Sequence, residues 1–243
     1  MGRTITWHCS GQTIEALTDS QDGTFYFYSK RSLDVVLATL LLVFLLPFLI
    51  FIAISIKLDS PGPIFYVQER VGARRRRSRN SETIWEIQTF PFYKFRSMVH
   101  NADQSIHQKH IKAFVNGDLN TAEANGQVKL VHDSRVTRVG RIIRTTSLDE
   151  LPQLINVLKG DMSLVGPRPV PTYEVAEYEA WHYTRLAALP GITGLWQING
   201  RGVVTFEEMV QMDLEYIHNQ SLWSDLKILL MTIPAVLSGR GAG

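Results

Sequence analysis

The chain of 243 residues holds a single cysteine, Cys9, so it can form no intrachain disulfide and offers no cysteine-built zinc site. That usage suits a reducing compartment. It also lacks an excess of either charge: 25 Lys and Arg stand against 23 Asp and Glu, a formal net charge of +2. Such a balance excludes a generally polybasic nucleic-acid arm and leaves room for a local basic patch. There is no internal repeat, no Walker loop and no GxGxxG, HExxH or GxSxG motif. His107 and His110 share a helical spacing, with His100 and His132 nearby, but no third ligand completes a metal pattern, and they read as surface histidines. A chain of this length buries a substantial core without a disulfide scaffold.

What is present is unevenly spread. The run Val35–Ile56, VVLATLLLVFLLPFLIFIAISI, carries no charge and is interrupted only by Thr39, Pro47 and Ser55. A membrane-crossing helix needs roughly 20 such residues. The run begins too far into the chain, and is too long, for a signal peptide. A buried core helix is the plain alternative, but such a helix is seldom apolar on every face in a chain this size. Lys30 and Arg31 precede the run, and Lys57, Arg70 and Arg74–Arg77 follow it. Basic flanks mark the cytoplasmic side, so two basic flanks fit neither orientation of a simple span. Pro47 lacks an N–H and its ring clashes with the Val43 carbonyl, which predicts a kink. A helix from Leu33 to Lys57 then splits into arms of roughly 20 Å and 16 Å, too short to cross a hydrocarbon core of about 30 Å. The expectation is a re-entrant helix that enters and leaves one leaflet.

Residues 1–29 are mixed polar and aromatic and carry no assignable chemistry; Met1–Thr6 fits the loose myristoylation pattern by chance. Asp59–Pro63 reads as a turn, Ile64–Gln68 as a short strand and Arg74–Arg77 as the start of a basic loop, solvated or against anionic headgroups. Ile84–Phe95 has strand composition, interrupted by Pro91. Residues 101–130 are polar. Ser221–Leu237 reads as an apolar helix broken at Pro234, suited to lie against a membrane surface.

The densest chemistry lies at 136–169. Arg138, Arg141 and Arg144 recur every third residue, a basic stripe if helical, and Ser147-Leu148-Asp149-Glu150-Leu151-Pro152 follows at once. Asp149 and Glu150 have a bland reading as a helix cap, either through a Ser147–Glu150 capping box or with Asp149 as the N-cap. Their functional reading is an acidic pair beside guanidinium forks, an anion site able to supply an attacking carboxylate or to hold magnesium against phosphate oxygens. Both readings stay open on local pattern. Gly166-Pro167-Arg168-Pro169 fixes the backbone of Arg168 from both sides, which suits phosphate binding as well as a rigid loop with an exposed arginine. A second Gly-rich loop, Pro190–Arg201, ends in another arginine, and Trp196 within it reads as core.

From Tyr28 onward these blocks resemble the bacterial sugar transferases of the monotopic phosphoglycosyl transferase family. The resemblance rests on KRSLDVVLATLLLVFLLPFLIFIAISIKLDSPGPIFYVQERVG, YKFRSM (93–98), RVTRVGRIIRTTSLDELPQLINVLKGDMSLVGPRP (135–169) and PGITGLWQINGR (190–201). It implies an α+β, helix-rich monotopic membrane protein with three parts: an N-terminal extension (1–29), a kinked re-entrant membrane helix (30–58) and a cytoplasmic catalytic domain (59–243). The implied reaction moves a sugar-1-phosphate from a UDP-sugar to polyprenyl (undecaprenyl) phosphate at the bacterial inner membrane and releases UMP. The implied roles make Asp149 the covalent nucleophile, Glu150 its metal or proton-transfer partner, and both the holders of Mg2+. Arg168, flanked by Pro167 and Pro169, would hold the nucleotide, with Lys94, Arg96, Arg141 and Arg201 as lower-ranked phosphate contacts. The partners implied are the UDP-sugar, the polyprenyl phosphate and membrane lipid, with no nucleic acid, and a homo-oligomer is compatible. Many relatives carry serine before the kinking proline; Leu46 stands there in this chain, and the segments 74–90 and 101–130 are longer than usual.

Overall fold

A computed structural model of the chain describes residues 3–9, 12–18, 24–77, 83–118, 133–199 and 204–237. Strands β1 (Arg3–Cys9) and β2 (Gln12–Thr18) pair antiparallel ahead of helix α1 (Thr24–Asp59). Next come β3 (Phe65–Arg77), β4 (Thr83–Phe95), α2 (Ser105–Val115) and α3 (Arg138–Thr145). A 3-10 turn, Leu148–Glu150, precedes α4 (Gln153–Lys159), β5 (Ser163–Val165), β6 (Val170–Pro171) and α5 (Thr172–Val175). A second 3-10 segment, Ala180–Leu186, leads to β7 (Gly191–Thr193), α6 (Leu195–Asn199), α7 (Phe206–His218) and α8 (Leu222–Leu237). The described residues form a helix-rich α+β protein, as the sequence implies.

The central sheet has the order β4-β3-β6. β3 and β4 pair antiparallel from Phe65↔Phe95 to Arg77↔Thr83, so the short strand expected at 64–68 is a long one. The basic loop expected from Arg74 is the end of this strand. The Arg75 guanidinium stacks 3.8 Å from the Phe27 ring, and Arg76 Nε lies 2.6 Å from Glu86, which gives protein partners to two arginines that read as solvated or against headgroups. Pro91 does not interrupt β4, because β4 is an edge strand, where a missing N–H is tolerated. Asn156 of α4 completes that edge: its Oδ1 accepts the Tyr93 N–H at 3.2 Å and its Nδ2 donates to the Pro91 carbonyl at 2.7 Å.

α1 is one helix of 36 residues running through Pro47, and it begins nine residues before Leu33. Protein holds its first turns. Lys30 Nζ lies 2.8 Å from Asp225, Tyr26 donates to the same carboxylate at 3.0 Å, and Asp34 accepts the Leu164 N–H at 3.1 Å. Arg31 donates to the Val157 and Leu158 carbonyls at 2.5 and 2.9 Å, at the end of α4. The middle of the helix is largely bare: Val43 is 68% and Phe44 82% exposed. Its most apolar stretch is only 11% buried within the protein, so it is not a core helix, and it is long and apolar enough to cross a membrane.

Both halves of α1 nevertheless touch the rest of the protein. Leu37, Ala38 and Leu42 join the main core, while Leu49, Ile52, Ala53 and Ile56 pack with Phe95 and Ile143. The buried Arg96 caps the far end, donating to the carbonyls of Ile56 (3.4 Å), Ser60 (2.7 Å) and Pro61 (2.8 Å), as a cation at a helix C-terminus should. Asp59 accepts the Val139 N–H at 2.9 Å and so ties α1 to the first turn of α3. α8 continues through Pro234 to Leu237, so the expected break is absent.

Candidate active site

Asp149 and Glu150 sit in the 3-10 turn between α3 and α4, and both are buried. Ser147, just before the turn, has φ 57°, a left-handed conformation that a non-glycine residue rarely adopts. Its side chain makes no capping bond, and α4 starts at Gln153 behind Pro152, so neither version of the capping reading describes the pair. What holds Glu150 is charge. Lys94 Nζ, from β4, donates to its Oε1 at 2.8 Å. Arg168 forms a fork on it, Nη2 to Oε1 at 2.6 Å and Nη1 to Oε2 at 3.4 Å. Asp149 is less engaged, with Lys94 at 3.5 Å. Burial disfavours the Arg168 charge, but Glu150, and behind it Asp149 and Glu174, outweigh burial and raise its pKa.

The loop that carries Arg168 is buttressed by the second Gly-rich loop. Gly166 N–H donates to the Thr193 carbonyl at 2.9 Å and Gly191 N–H to the Pro167 carbonyl at 2.8 Å. A Cβ on Gly166 would lie 2.2 Å from the Leu189 carbonyl oxygen, and one on Gly191 2.1 Å from the Gly166 nitrogen, so the two backbones meet closely only as glycine. Trp196, in α6, is buried in a small core with Phe206, Met209 and Val210, as expected, and it also borders the cavity that holds the acidic pair.

A cavity of about 700 Å³ brings the acidic pair together with Lys94, Arg96, Arg168 and Pro169. Pro167 lies in the buried loop behind it. The Arg96 guanidinium is committed to the α1 carbonyls, which gives it a structural task. Of the basic stripe, Arg144 lines the cavity, while Arg138 and Arg141 are exposed and do not. Residues three apart on a helix drift by about 60° per step, which carries Arg141 away from the cavity. Arg201 lies outside the described residues. Sequence reasoning gave no site role to Arg70, Tyr66, His107 or Tyr173, which line the same space. His107 is half-buried: its Nδ1 lies 2.7 Å from the Tyr173 hydroxyl, and burial, then Arg70, His110, Arg135 and Arg144, push its pKa down to about 4. Helical spacing placed His107 on α2, but nothing local revealed its contact with α5.

Among the described residues, no three His, Cys, Asp or Glu side chains are grouped to hold a metal ion. The adjacent carboxylates of Asp149 and Glu150 fit an ion that takes its other ligands from a substrate, as magnesium does with phosphate oxygens.

A paired acidic turn wired to cations in one cavity, in a chain that also carries a long exposed apolar helix, suits a membrane-associated protein that handles an anion. The chain belongs to the bacterial sugar transferase family, which its residues 25–239 match. It is 41% identical over 217 residues to the undecaprenyl-phosphate galactose phosphotransferase of Salmonella typhimurium, covering 88% of this chain and 42% of that protein. It is 40% identical over 214 residues to the exopolysaccharide production protein ExoY of Sinorhizobium fredii, covering 88% of each. To the UDP-glucose:undecaprenyl-phosphate glucose-1-phosphate transferase of Caulobacter vibrioides it is 42% identical over 217 residues, covering 86% of this chain and 70% of that protein. The chain thus spans less than half the length of the Salmonella relative.

Proposed function

We propose that the protein is a phosphoglycosyl transferase that moves a sugar-1-phosphate from a UDP-sugar to undecaprenyl phosphate and so starts assembly of a bacterial polysaccharide or glycoconjugate. The observation that carries this is the asymmetry of the acidic pair: Glu150 is held by Lys94 and Arg168, while Asp149 is left the freer carboxylate facing the cavity. The names of the Salmonella and Caulobacter relatives support the donor and acceptor classes.

Asp149 attacks the phosphorus that bears the sugar. An Asp149–phosphosugar bond forms, the diphosphate P–O bond breaks, and UMP leaves with the electron pair. The undecaprenyl phosphate oxygen then attacks the same phosphorus and frees Asp149. Lys94 and Arg168 offset charge on the transferring group and keep Glu150 in place beside it. Magnesium, held by Asp149 and Glu150, would supply further neutralisation of the phosphate oxygens.

α1 enters and leaves the cytoplasmic leaflet of the inner membrane, which puts the lipid phosphate at the cavity. Its two halves both pack on the same protein body, which supports this reading, because a span would carry one end to the opposite face.

The test uses the full chain with UDP-galactose or UDP-glucose, undecaprenyl phosphate and magnesium. Release of UMP supports the proposal; release of UDP makes the protein a glycosyl transferase; no nucleotide product makes it a scaffold. Without acceptor, labelled donor should leave sugar-phosphate on wild type and on Glu150→Gln, and none on Asp149→Asn. Asp149→Asn should lower turnover by several orders of magnitude while staying folded. Near-normal turnover in that variant would remove Asp149 as nucleophile.

A further inference from the structure

Arg70 is a poorly compensated cation in the cavity. It stands in mid-β3, paired in register with Phe90 on one side and Pro171 on the other. Among the described residues its guanidinium makes one hydrogen bond, Nη1 to the Pro169 carbonyl at 3.3 Å, and no ion pair. Its Nε is buried without a partner. The Phe92 ring, 5.2 Å away, offers its face. Glu174, the carboxylate near enough to influence it, is already bound by Tyr178 at 2.7 Å and by Arg185 at 3.4 Å. Arg168 repels it: burial first, then Arg168, pulls the Arg70 pKa down. A sequestered guanidinium without a carboxylate, facing a like charge, is costly unless an anion completes it. Seven basic side chains line this cavity against five acidic ones, so an anion is what the wall lacks.

Position says which anion. Arg168 reaches Glu150 with its fork, while the carbonyl of the next residue, Pro169, takes the Arg70 hydrogen bond. A diphosphate whose sugar-bearing phosphorus is at Asp149 would pass Arg168 and meet Arg70 with its other phosphate. Resting on the donor reading above, we propose that Arg70 binds the nucleoside-side phosphate of the UDP-sugar and receives the charge of the leaving UMP. When the P–O bond breaks, the electron pair stays on the former bridging oxygen, which becomes a terminal oxygen of UMP. No proton is needed, because Arg70 and Arg168 together face that oxygen.

The experiment measures binding of UMP, uridine and inorganic pyrophosphate to the full chain in detergent or nanodiscs, for wild type, Arg70→Gln and Arg70→Lys. Arg70→Gln should weaken UMP about 10- to 100-fold and pyrophosphate similarly, while uridine binds as before. Arg70→Lys keeps the charge and loses the fork, so it should fall between. If Arg70→Gln does not fold, the ratio of UMP to uridine affinity in Arg70→Lys decides. An unchanged ratio in a folded variant overturns the role of Arg70 and leaves the donor reading intact. Loss of pyrophosphate binding in a protein that prefers no uracil nucleotide keeps Arg70 as an anion ligand and overturns the donor reading instead.

Discussion

At the scale of single residues, the site is set by which acid each cation can reach. Arg168 carries two tasks, a fork on Glu150 and a place in the cavity wall. Lysine cannot reproduce the fork. Arg168→Lys should therefore weaken donor use about 10-fold or more with the fold intact, read as kcat/KM for the UDP-sugar; an unchanged value would take Arg168 out of the site. His107 makes a pH prediction. Its folded-state pKa of about 4 lies below the ordinary 6.5, so folding favours the neutral ring. That contribution is complete above pH 6.5 and is lost as pH falls from there toward about 4. The charged and titratable groups that oppose its protonation are Arg70 on β3, His110 on α2, Arg135 ahead of α3 and Arg144 on α3. Unfolding free energy measured across that window should slope downward with acid, and His107→Gln should flatten the slope; parallel curves would show that another group is responsible. Asp149, Glu150 and Arg168 were legible in the sequence because they lie in compact motifs with unusual composition, whereas Lys94 came only through the family resemblance, as a lower-ranked phosphate contact. Arg70 and His107 were not, since what distinguishes them is a loop about a hundred residues away on one hand and the α5 tyrosine on the other.

At the scale of elements, the errors of sequence reading have one physical origin. Arg74–Arg77 looked like a basic loop, solvated or against headgroups, because four charges in a row seldom pair locally; the partners Phe27 and Glu86 belong to other elements, and strand pairing with β4 does the rest. Pro91 looked like a breaker because edge or centre is a property of the sheet, which local composition cannot express. Asn156 shows the same lesson in a helix. Buried, it gives β4 the two hydrogen bonds that a further strand would supply. Asn156→Ala leaves the Tyr93 N–H and the Pro91 carbonyl without these partners, a loss of about 2–4 kcal/mol from two orphaned groups. Since Lys94 follows Tyr93, the acidic pair should also lose its register with the lysine. Denaturant unfolding and turnover should fall together. A stability loss under about 0.5 kcal/mol would mean that water replaces the amide at that edge.

At the scale of the whole molecule, the question is where the two ends of α1 lie. The apolar run and its two basic flanks were readable without a structure, and so was Pro47; the attachment of both halves to one body was not, because it depends on Asp225, Val157 and Arg96. Lys30, Arg31 and Asp34 fasten the entry of the helix to α8, α4 and β5, and Arg96 with Asp59 fastens its exit to β4 and α3. The middle, around Val43 to Phe48, is exposed. A straight transmembrane path would have to break one set of fastenings, each made of charged groups that would lose their partners. The proposed re-entrant path keeps both, and Pro47, which removes one helical hydrogen bond, is the residue at which it would bend. Cysteines at Phe25 and Leu58, both well exposed at opposite ends of α1, test this in a Cys9→Ser background. Both should react with a membrane-impermeant thiol reagent only after the cytoplasmic side is opened. Adding Pro47→Ala should straighten the helix and let a fraction of molecules label at one end from outside. Labelling of either cysteine in intact cells without that substitution would mean that α1 spans, and the acceptor phosphate would then have to reach Asp149 by another path.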